Sequence, residues 1–384
     1  MKLIHTADWH LGRLFHGFHL TEDQAHVLEQ LVELAREVRA DAVVVAGDVY
    51  DRAVPPPEAV SLLDWTLSEL TLSAGIPVVL IAGNHDSPER LGFGRRVLEG
   101  GRMYVRGRAT SDCRPIILED ESGPVQLCPL PFLEPAWARQ VFENPDLHDH
   151  GSALGAYVDL MRGRLPAGVR SVAVAHAFVG GGEESESERP LSVGTAGLVD
   201  VEVFRGFEYA ALGHLHRPQS VGSERVRYAG SLLKYSASEA GHDKSVSLVE
   251  IDGQGKVRVE PIALRPRRDV RIVEGELREL LEGDRERWGD PRDYLHVRLL
   301  DRGPLLEPAA RLREVFPNLL AVERVVSSLG PGPRRETVDP RTLDESLLFA
   351  DFFKQATGSE LTEDEKRELD AVVEQVRGEE REAG

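Results

Sequence analysis

Five short segments carry side chains that can hold metal ions and move protons. They are Asp8-Trp9-His10, Gly47-Asp48-Val49-Tyr50-Asp51, Gly83-Asn84-His85-Asp86, the isolated His176, and Gly213-His214-Leu215-His216. Carboxylate and imidazole donors together favour Mn²⁺, Fe²⁺ or Zn²⁺, whereas an all-oxygen set would favour Mg²⁺ or Ca²⁺. A carboxylate shared between two ions can hold them ~4 Å apart, the spacing of two-metal phosphate chemistry. A phosphodiester is anionic and repels hydroxide. Two cations neutralise it, lower the pKa of a bound water and stabilise the charge that develops in the transition state. A histidine beside a ligand, but not itself a ligand, can then serve the leaving oxygen as an acid. Each segment alone is weak, since Gly-Asp and Gly-Asn-His-Asp are also ordinary turn sequences. Their conjunction is what points to a metal site, because every one follows an expected strand.

Those strands are short, β-branched runs bounded by Gly or Asp, at 2–6, 42–46 and 77–82, and later at 171–175, 209–212 and 226–229. A helix is expected from Thr21, with Thr21-Glu22-Asp23-Gln24 as a capping box and an apolar face of Val27, Leu28, Leu31, Val32, Ala35 and Val38. A second follows Pro55-Pro56-Pro57, with Val60, Leu63, Leu67 and Leu70 inward. Alternating strands and helices predict a largely parallel sheet, whose carboxyl edge gathers the loop residues at one crevice. A hairpin at 245–251 and 256–262 turns on Asp252-Gly253-Gln254-Gly255. Arg265-Pro266-Arg267-Arg268 reads as a boundary, followed by a small α/β unit. Gly330-Pro331-Gly332-Pro333 reads as a linker. Two helices are expected after it, one lined by Leu343, Leu347, Leu348, Phe352 and Phe353, the other capped by Thr362-Glu363-Asp364-Glu365. The acidic run 183–188 reads as a solvated loop.

The bulk numbers narrow the class. A chain of 384 residues predicts two or three units. Two cysteines, Cys113 and Cys128, give no disulfide framework and fit a reducing cytosol. No apolar signal region follows Met1, and the longest apolar runs fall short of the roughly 18–20 residues of a membrane span. The net charge of −19 counts against a protein that grips nucleic acid unaided. A polyanionic substrate would need the metals, a local arginine patch or a partner. No Gly-x-x-x-x-Gly-Lys-Ser/Thr phosphate loop is present, so any use of ATP must lie elsewhere.

The motifs resemble those of the calcineurin-like metallophosphoesterase superfamily. In longer form they resemble its SbcD-type nuclease family: Ala7-Asp8-Trp9-His10-Leu11-Gly12-Arg13, Ala46-Gly47-Asp48-Val49-Tyr50-Asp51-Arg52, Gly83-Asn84-His85-Asp86-Ser87-Pro88-Glu89-Arg90-Leu91 and Tyr228-Ala229-Gly230-Ser231. The resemblance implies a four-layer α/β fold, a β-sandwich flanked by helices, over 1–265. It further implies a DNA-capping α/β domain over 266–335 and C-terminal helices over 336–384 that bind the coiled coil of an SbcC-type ATPase. It places one metal on Asp8, His10, Asp48 and His216 and the other on Asp48, Asn84, His176 and His214, with Asp48 bridging. His85 would sit over the scissile phosphate. Asp51, where some relatives carry histidine, would orient His85 through its carboxylate. Two Mn²⁺ per chain are expected, other divalent metals being possible. So are exonuclease action on duplex ends, endonuclease action on single strands and hairpins, a homodimer, and a cytoplasmic, nucleoid-associated location.

Two other readings remain open at this level. A phosphatase or small-molecule phosphodiesterase of the same superfamily fits the Gly47–Arg52 run as far as Arg52, although Ala53 follows where phosphatases carry glycine. A DNA-binding scaffold with a vestigial site would keep the fold without the chemistry, which the full ligand set and His85 argue against.

Overall fold

The computed structural model describes residues 1–325, 349–350, 352–354 and 358–383, apart from 167, 190, 192–193 and 284. The chain divides into two compact units, Met1–Arg271 and Ile272–Gly384.

The first unit is built on two six-stranded sheets. In one, Lys2–Thr6, Ala42–Val45, Val78–Ile81 and Met103–Arg106 run parallel, and Ser245–Ile251 and Val257–Ala263 extend the sheet antiparallel beyond Lys2–Thr6. In the other, Gly123–Leu130, Arg170–His176, Tyr209–Gly213 and Ser223–Tyr228 run parallel, with Ile116–Asp120 and Gln219–Val221 antiparallel at the edges. Alternate residues of both sheets, among them Leu3, Val44, Val79, Leu127, Val174 and Val249, form one apolar core between them. The outer face of the second sheet packs on the helices Pro135–Phe142 and His150–Arg162 through a second core that includes Tyr157, Met161 and Leu212. The central strands are therefore buried on both faces, which is why they read as continuous apolar runs instead of alternating ones.

The helix Thr21–Glu37 buries Val27, Leu28, Leu31, Val32 and Ala35 as its spacing predicts, but it has no side-chain cap. Gln24, expected to close a capping box, is buried and reaches the loop after the first strand instead. The second helix, Pro57–Ser68, buries Ala59, Leu62, Leu63, Thr66 and Leu67, while Val60 is 45% exposed, opposite to expectation. The following turn, Glu69–Ser73, is a π-helix, and Leu70 in it is buried as expected. Four strands of the two sheets are not evident from the sequence: Gln219–Val221, Met103–Arg106, Ile116–Asp120 and Gly123–Leu130. The last contains Pro124 and Pro129, residues that argue against a strand when read locally.

The second unit carries a three-stranded sheet in the order Val270–Gly275, Tyr294–Leu299, Leu319–Arg324. The helices Leu277–Glu282 and Pro308–Val315 join Leu295, Val297, Leu312 and Phe316 in a small core of its own. The helix Glu363–Ala383 begins with the expected capping box, Thr362 and Glu365 each bonding the other's main-chain N–H. The linker at 330–333 and the apolar positions Leu343, Leu347 and Leu348 lie outside the described residues. No helix among the described residues is long and apolar enough to cross a membrane.

Candidate metal centre

The candidate ligands all leave the carboxyl ends of central strands. Asp8 and His10 follow Lys2–Thr6, Asp48 follows Ala42–Val45, and Asn84 and His85 follow Val78–Ile81. From the other sheet, His176 closes Arg170–His176, and His214 and His216 follow Tyr209–Gly213. The first two loops are zipped together by main-chain bonds from Asp8 N–H to Gly47 O and from His10 N–H to Asp48 O, both 3.0 Å. To turn so sharply, Asp8, His10, Asp48 and His214 adopt φ values of 52°, 45°, 49° and 109°. Non-glycine residues held there store strain, and such strain gathers at functional sites. Gly47 (φ 92°) is needed for a second reason: a Cβ on it would lie 2.4 Å from His176 Nδ1.

The side chains form two adjoining groups of ligands, beside which His10, Asp51 and His85 bring donor atoms within 4.8 Å of one another. Donor atoms of Asp8, His10 and His216 lie within 4.8 Å of one another, as do those of Asp8, Asp48 and His176. His10 Nε2 faces His216 Nε2 at 3.0 Å. Asn84 Oδ1 lies 2.9 Å from His176 Nε2 and 3.2 Å from His214 Nδ1. Between the groups, Asp48 Oδ2 is 3.5 Å from His176 Nε2, 3.7 Å from His10 Nε2 and 3.9 Å from His85 Nε2. Asp48 Oδ1 accepts the His85 main-chain N–H at 2.9 Å, which fixes the carboxylate plane. Asp86 props the same loop by accepting from the N–H groups of Val49, Tyr50 and Gly83.

The electrostatics of this cluster are those of a cation site. Asp8, His10, Asp48, His176, His214 and His216 are all at most 3% exposed. Burial and then the neighbouring Asp48 carboxylate push the Asp8 carboxyl well above its usual range. The same two causes push Asp86 up to about 7. Burial, followed by repulsion from the surrounding imidazoles, holds His10 and His214 well below the ordinary histidine value, and burial lowers His176. Neutral imidazoles with free lone pairs, crowded against buried carboxylates, are costly to assemble unless positive charge sits among them. The oxygen–nitrogen donor set and the inward-facing ring nitrogens of His10 and His216 fit divalent metal.

Tautomers follow from the partners. His176 Nδ1 donates to Ala46 O and His85 Nδ1 donates to Asp51 O, each at 2.9 Å. A carbonyl only accepts, so Nε2 is the free nitrogen of both rings. The His85 bond corrects one expectation. The Asp51 carboxylate does not orient His85, because Arg13 Nη1 binds it at 2.9 Å and its nearest ring nitrogen is His10 Nδ1 at 3.7 Å. The main-chain oxygen of Asp51 holds His85 instead. His16 and His19, beside the first motif, are exposed.

Sequence reasoning missed the braces behind the ligands. Gln24 Nε2 donates to Trp9 O and His10 O, and Tyr235 Oη donates to Trp9 O at 2.5 Å. Ser187, Glu188, Glu239 and Lys244 gather round His216. The acidic run is thus not wholly solvated as expected, since its Ser187 and Glu188 reach into the centre. Gln24, Tyr235, Glu239 and Lys244 are set apart by their burial, and Ser187 and Glu188 by partners distant in the chain, neither of which a sequence displays.

The family model described as calcineurin-like phosphoesterase matches residues 1–218, and that of the type 5 capsule protein repressor C-terminal domain matches 266–357. The SbcD subunit of the nuclease SbcCD from Staphylococcus saprophyticus is 34% identical over 97% of this chain and 98% of its own length. Its counterpart from Staphylococcus epidermidis is 31% identical over 94% and 95%. Among solved structures, a dimetal phosphatase from Danio rerio aligns with a TM-score of 0.38 at 14% identity, over 70% of this chain and 97% of its own. The chain therefore belongs to the calcineurin-like phosphoesterases and, within them, to the SbcD family of SbcCD nuclease subunits, as a metal-dependent phosphodiesterase.

Proposed function

We propose that the chain is a DNA nuclease with two Mn²⁺ ions, working with an SbcC-type ATPase in the processing of double-strand breaks. Asp8, His10, Asp48 and His216 would hold one ion, and Asp48, Asn84, His176 and His214 the other. The observation that carries this reading is the position of Asp48, whose Oδ2 faces ring nitrogens of both groups. When bound, the two ions would neutralise the phosphate and activate the attacking water.

The protein's own part is to hold that geometry and to manage one proton. His85 is 9% exposed, the most open histidine of the cluster, and its free Nε2 lies toward the centre. With Nδ1–H anchored on Asp51 O, a protonated Nε2 is left to donate into the centre, to a leaving oxygen. Apart from the half-buried Asn84, the ligands are dry and held by the main chain around them, so little reorganisation accompanies charge development. Exonuclease action on duplex ends and endonuclease action on single strands and hairpins follow from the family resemblance. So do the homodimer and the division into a nuclease domain (1–265), a DNA-capping domain (266–335) and partner-binding helices (336–384). A net charge of −19 supports a shared grip on DNA with the ATPase.

The test is cleavage of linear, blocked-end and single-stranded DNA with Mn²⁺, with and without the ATPase and ATP, beside bis-p-nitrophenyl phosphate and a phosphoserine peptide. Cleavage of the diesters but not the phosphopeptide is expected, with blocked ends cut only in the complex. Dephosphorylation of the peptide without DNA cleavage would turn the assignment to a phosphatase.

A further inference from the structure

We propose that Ser187, Glu239 and Lys244 form a clamp that fixes His216 in the one tautomer and orientation able to hold a metal. The proposal rests on the two-metal reading above and assigns positioning residues behind one ligand.

His216 is held at every polar handle it has. Its N–H donates to Glu188 Oε1 at 2.7 Å. Its carbonyl accepts from Lys244 Nζ at 2.7 Å and from the Ser231 N–H at 3.1 Å. Its Nδ1 meets Ser187 Oγ at 2.5 Å, and the same hydroxyl lies 2.5 Å from Glu239 Oε1. Glu239 is fully buried and Lys244 6% exposed, with Lys244 Nζ 2.5 Å from Glu239 Oε2 and 2.9 Å from Ser231 Oγ. All three ammonium protons of Lys244 thus have acceptors: Glu239, Ser231 and the His216 carbonyl.

The proton order follows from these contacts. An ionised carboxylate beside an ammonium can only accept. Glu239 Oε1 collects bonds from Ser187 Oγ, from Ser236 Oγ at 3.1 Å and from the Tyr235 N–H at 3.2 Å. The single proton of the Ser187 hydroxyl therefore points at Glu239. Its lone pair faces His216 and receives Nδ1–H. Nε2 is then left unprotonated, facing the centre beside His10 Nε2. A ring nitrogen anchored on a carboxylate is the usual support of a metal-binding histidine; here the hydroxyl of Ser187 is interposed. Because Ser187 comes from the acidic loop and Glu239 and Lys244 from the segment after Ser223–Tyr228, the clamp joins two stretches no local motif connects.

The experiment is calorimetric titration of the metal-free full-length chain with Mn²⁺, wild type against Ser187→Ala and Ser187→Thr, with the melting temperature of each metal-free protein. Ser187 lies on a partly exposed loop, so its truncation spares the core. The wild type should bind two ions. Ser187→Ala should weaken one of them by about 10- to 100-fold, leaving the other and the melting temperature unchanged. Ser187→Thr, which restores the hydroxyl, should recover the affinity. Two ions bound by Ser187→Ala with wild-type affinity would overturn the clamp alone. Equal weakening of both ions with a lowered melting temperature would also overturn it, by making Ser187 a general structural residue. A wild type that does not bind two ions would remove the two-metal reading, and the clamp with it.

Discussion

Gly83→Ala isolates the packing on which the centre depends. Gly83 is absent from the positive-φ residues, so alanine meets no backbone penalty there. The added Cβ would stand 2.1 Å from Asp48 Oδ1 and 2.4 Å from the Asp48 main-chain nitrogen, where ordinary contact begins at 3.4 Å. The carboxylate oxygen must therefore retreat by about 1.3 Å, and because the main-chain nitrogen is also struck, side-chain rotation alone cannot provide it. The retreat breaks the bond from His85 N–H to Asp48 Oδ1 and pulls Oδ2 away from His10 and His176. A misplacement of that size costs roughly 100-fold in rate, and the overpacking itself about 1–3 kcal/mol of stability. The assay is Mn²⁺-dependent hydrolysis of bis-p-nitrophenyl phosphate and single-stranded DNA, with thermal melting in parallel. Gly100→Ala, whose Cβ would meet open space, is the control and should be silent. Wild-type turnover by a folded Gly83→Ala would refute the claim that the close approach of these two loops sets the position of Asp48.

The other perturbations separate chemistry, bracing and stability. His85→Gln should keep both ions, measured by Mn²⁺ titration, yet lose about 10²- to 10⁴-fold in turnover, as expected for a proton donor that is not a ligand; an unimpaired rate would place the acid elsewhere. Gln24→Ala strips the donors from the buried Trp9 and His10 carbonyls and should lower stability by about 1–3 kcal/mol, read by urea unfolding. Arg170, followed by the Met1 ammonium, holds the Asp120 carboxyl below the usual carboxylate range. A depressed folded pKa contributes stability that is present above the unfolded value, about 3.9, and drains as pH falls below it. Asp120→Asn should therefore cost roughly 3–5 kcal/mol at neutral pH and flatten the acid limb of the stability profile; an unchanged limb would remove the pair from the account. Removing 343–384 should abolish co-purification with the ATPase and spare Mn²⁺-dependent cleavage of single-stranded DNA; loss of both would deny a separable tether.

What is legible in the sequence is what repeats or alternates. The runs ending at Val45 and Ile81 are apolar throughout because both faces are covered, Lys2–Thr6 is buried from Leu3 onward, and the turn residues after all three carry chemistry that stands out against that background. The hairpin at Asp252–Gly255 announces itself through its glycines. Less legible are residues whose role depends on distant partners. Gln24 has the spacing of a capping residue, and only the fold shows that the first metal loop claims it. Ser187 sits in an acidic run with every sign of a solvated loop. The Asp51–His85 pairing misleads because adjacency in the family pattern does not say whether carboxylate or carbonyl does the bonding, and the guanidinium of Arg13 decides that locally. Val60 is misplaced because Ala59, one residue earlier, takes the inward place in the first turn of Pro57–Ser68, and the larger apolar side chain draws the eye to the wrong position.

The central claim is that Asp48 joins two cations. Crystals soaked in Mn²⁺ and measured at the manganese absorption edge test it directly. Two anomalous peaks about 4 Å apart are expected, with an Asp48 oxygen touching both, His10 and His216 on one, and His176 and His214 on the other. A single peak, or a pair that Asp48 does not touch, would contradict the account.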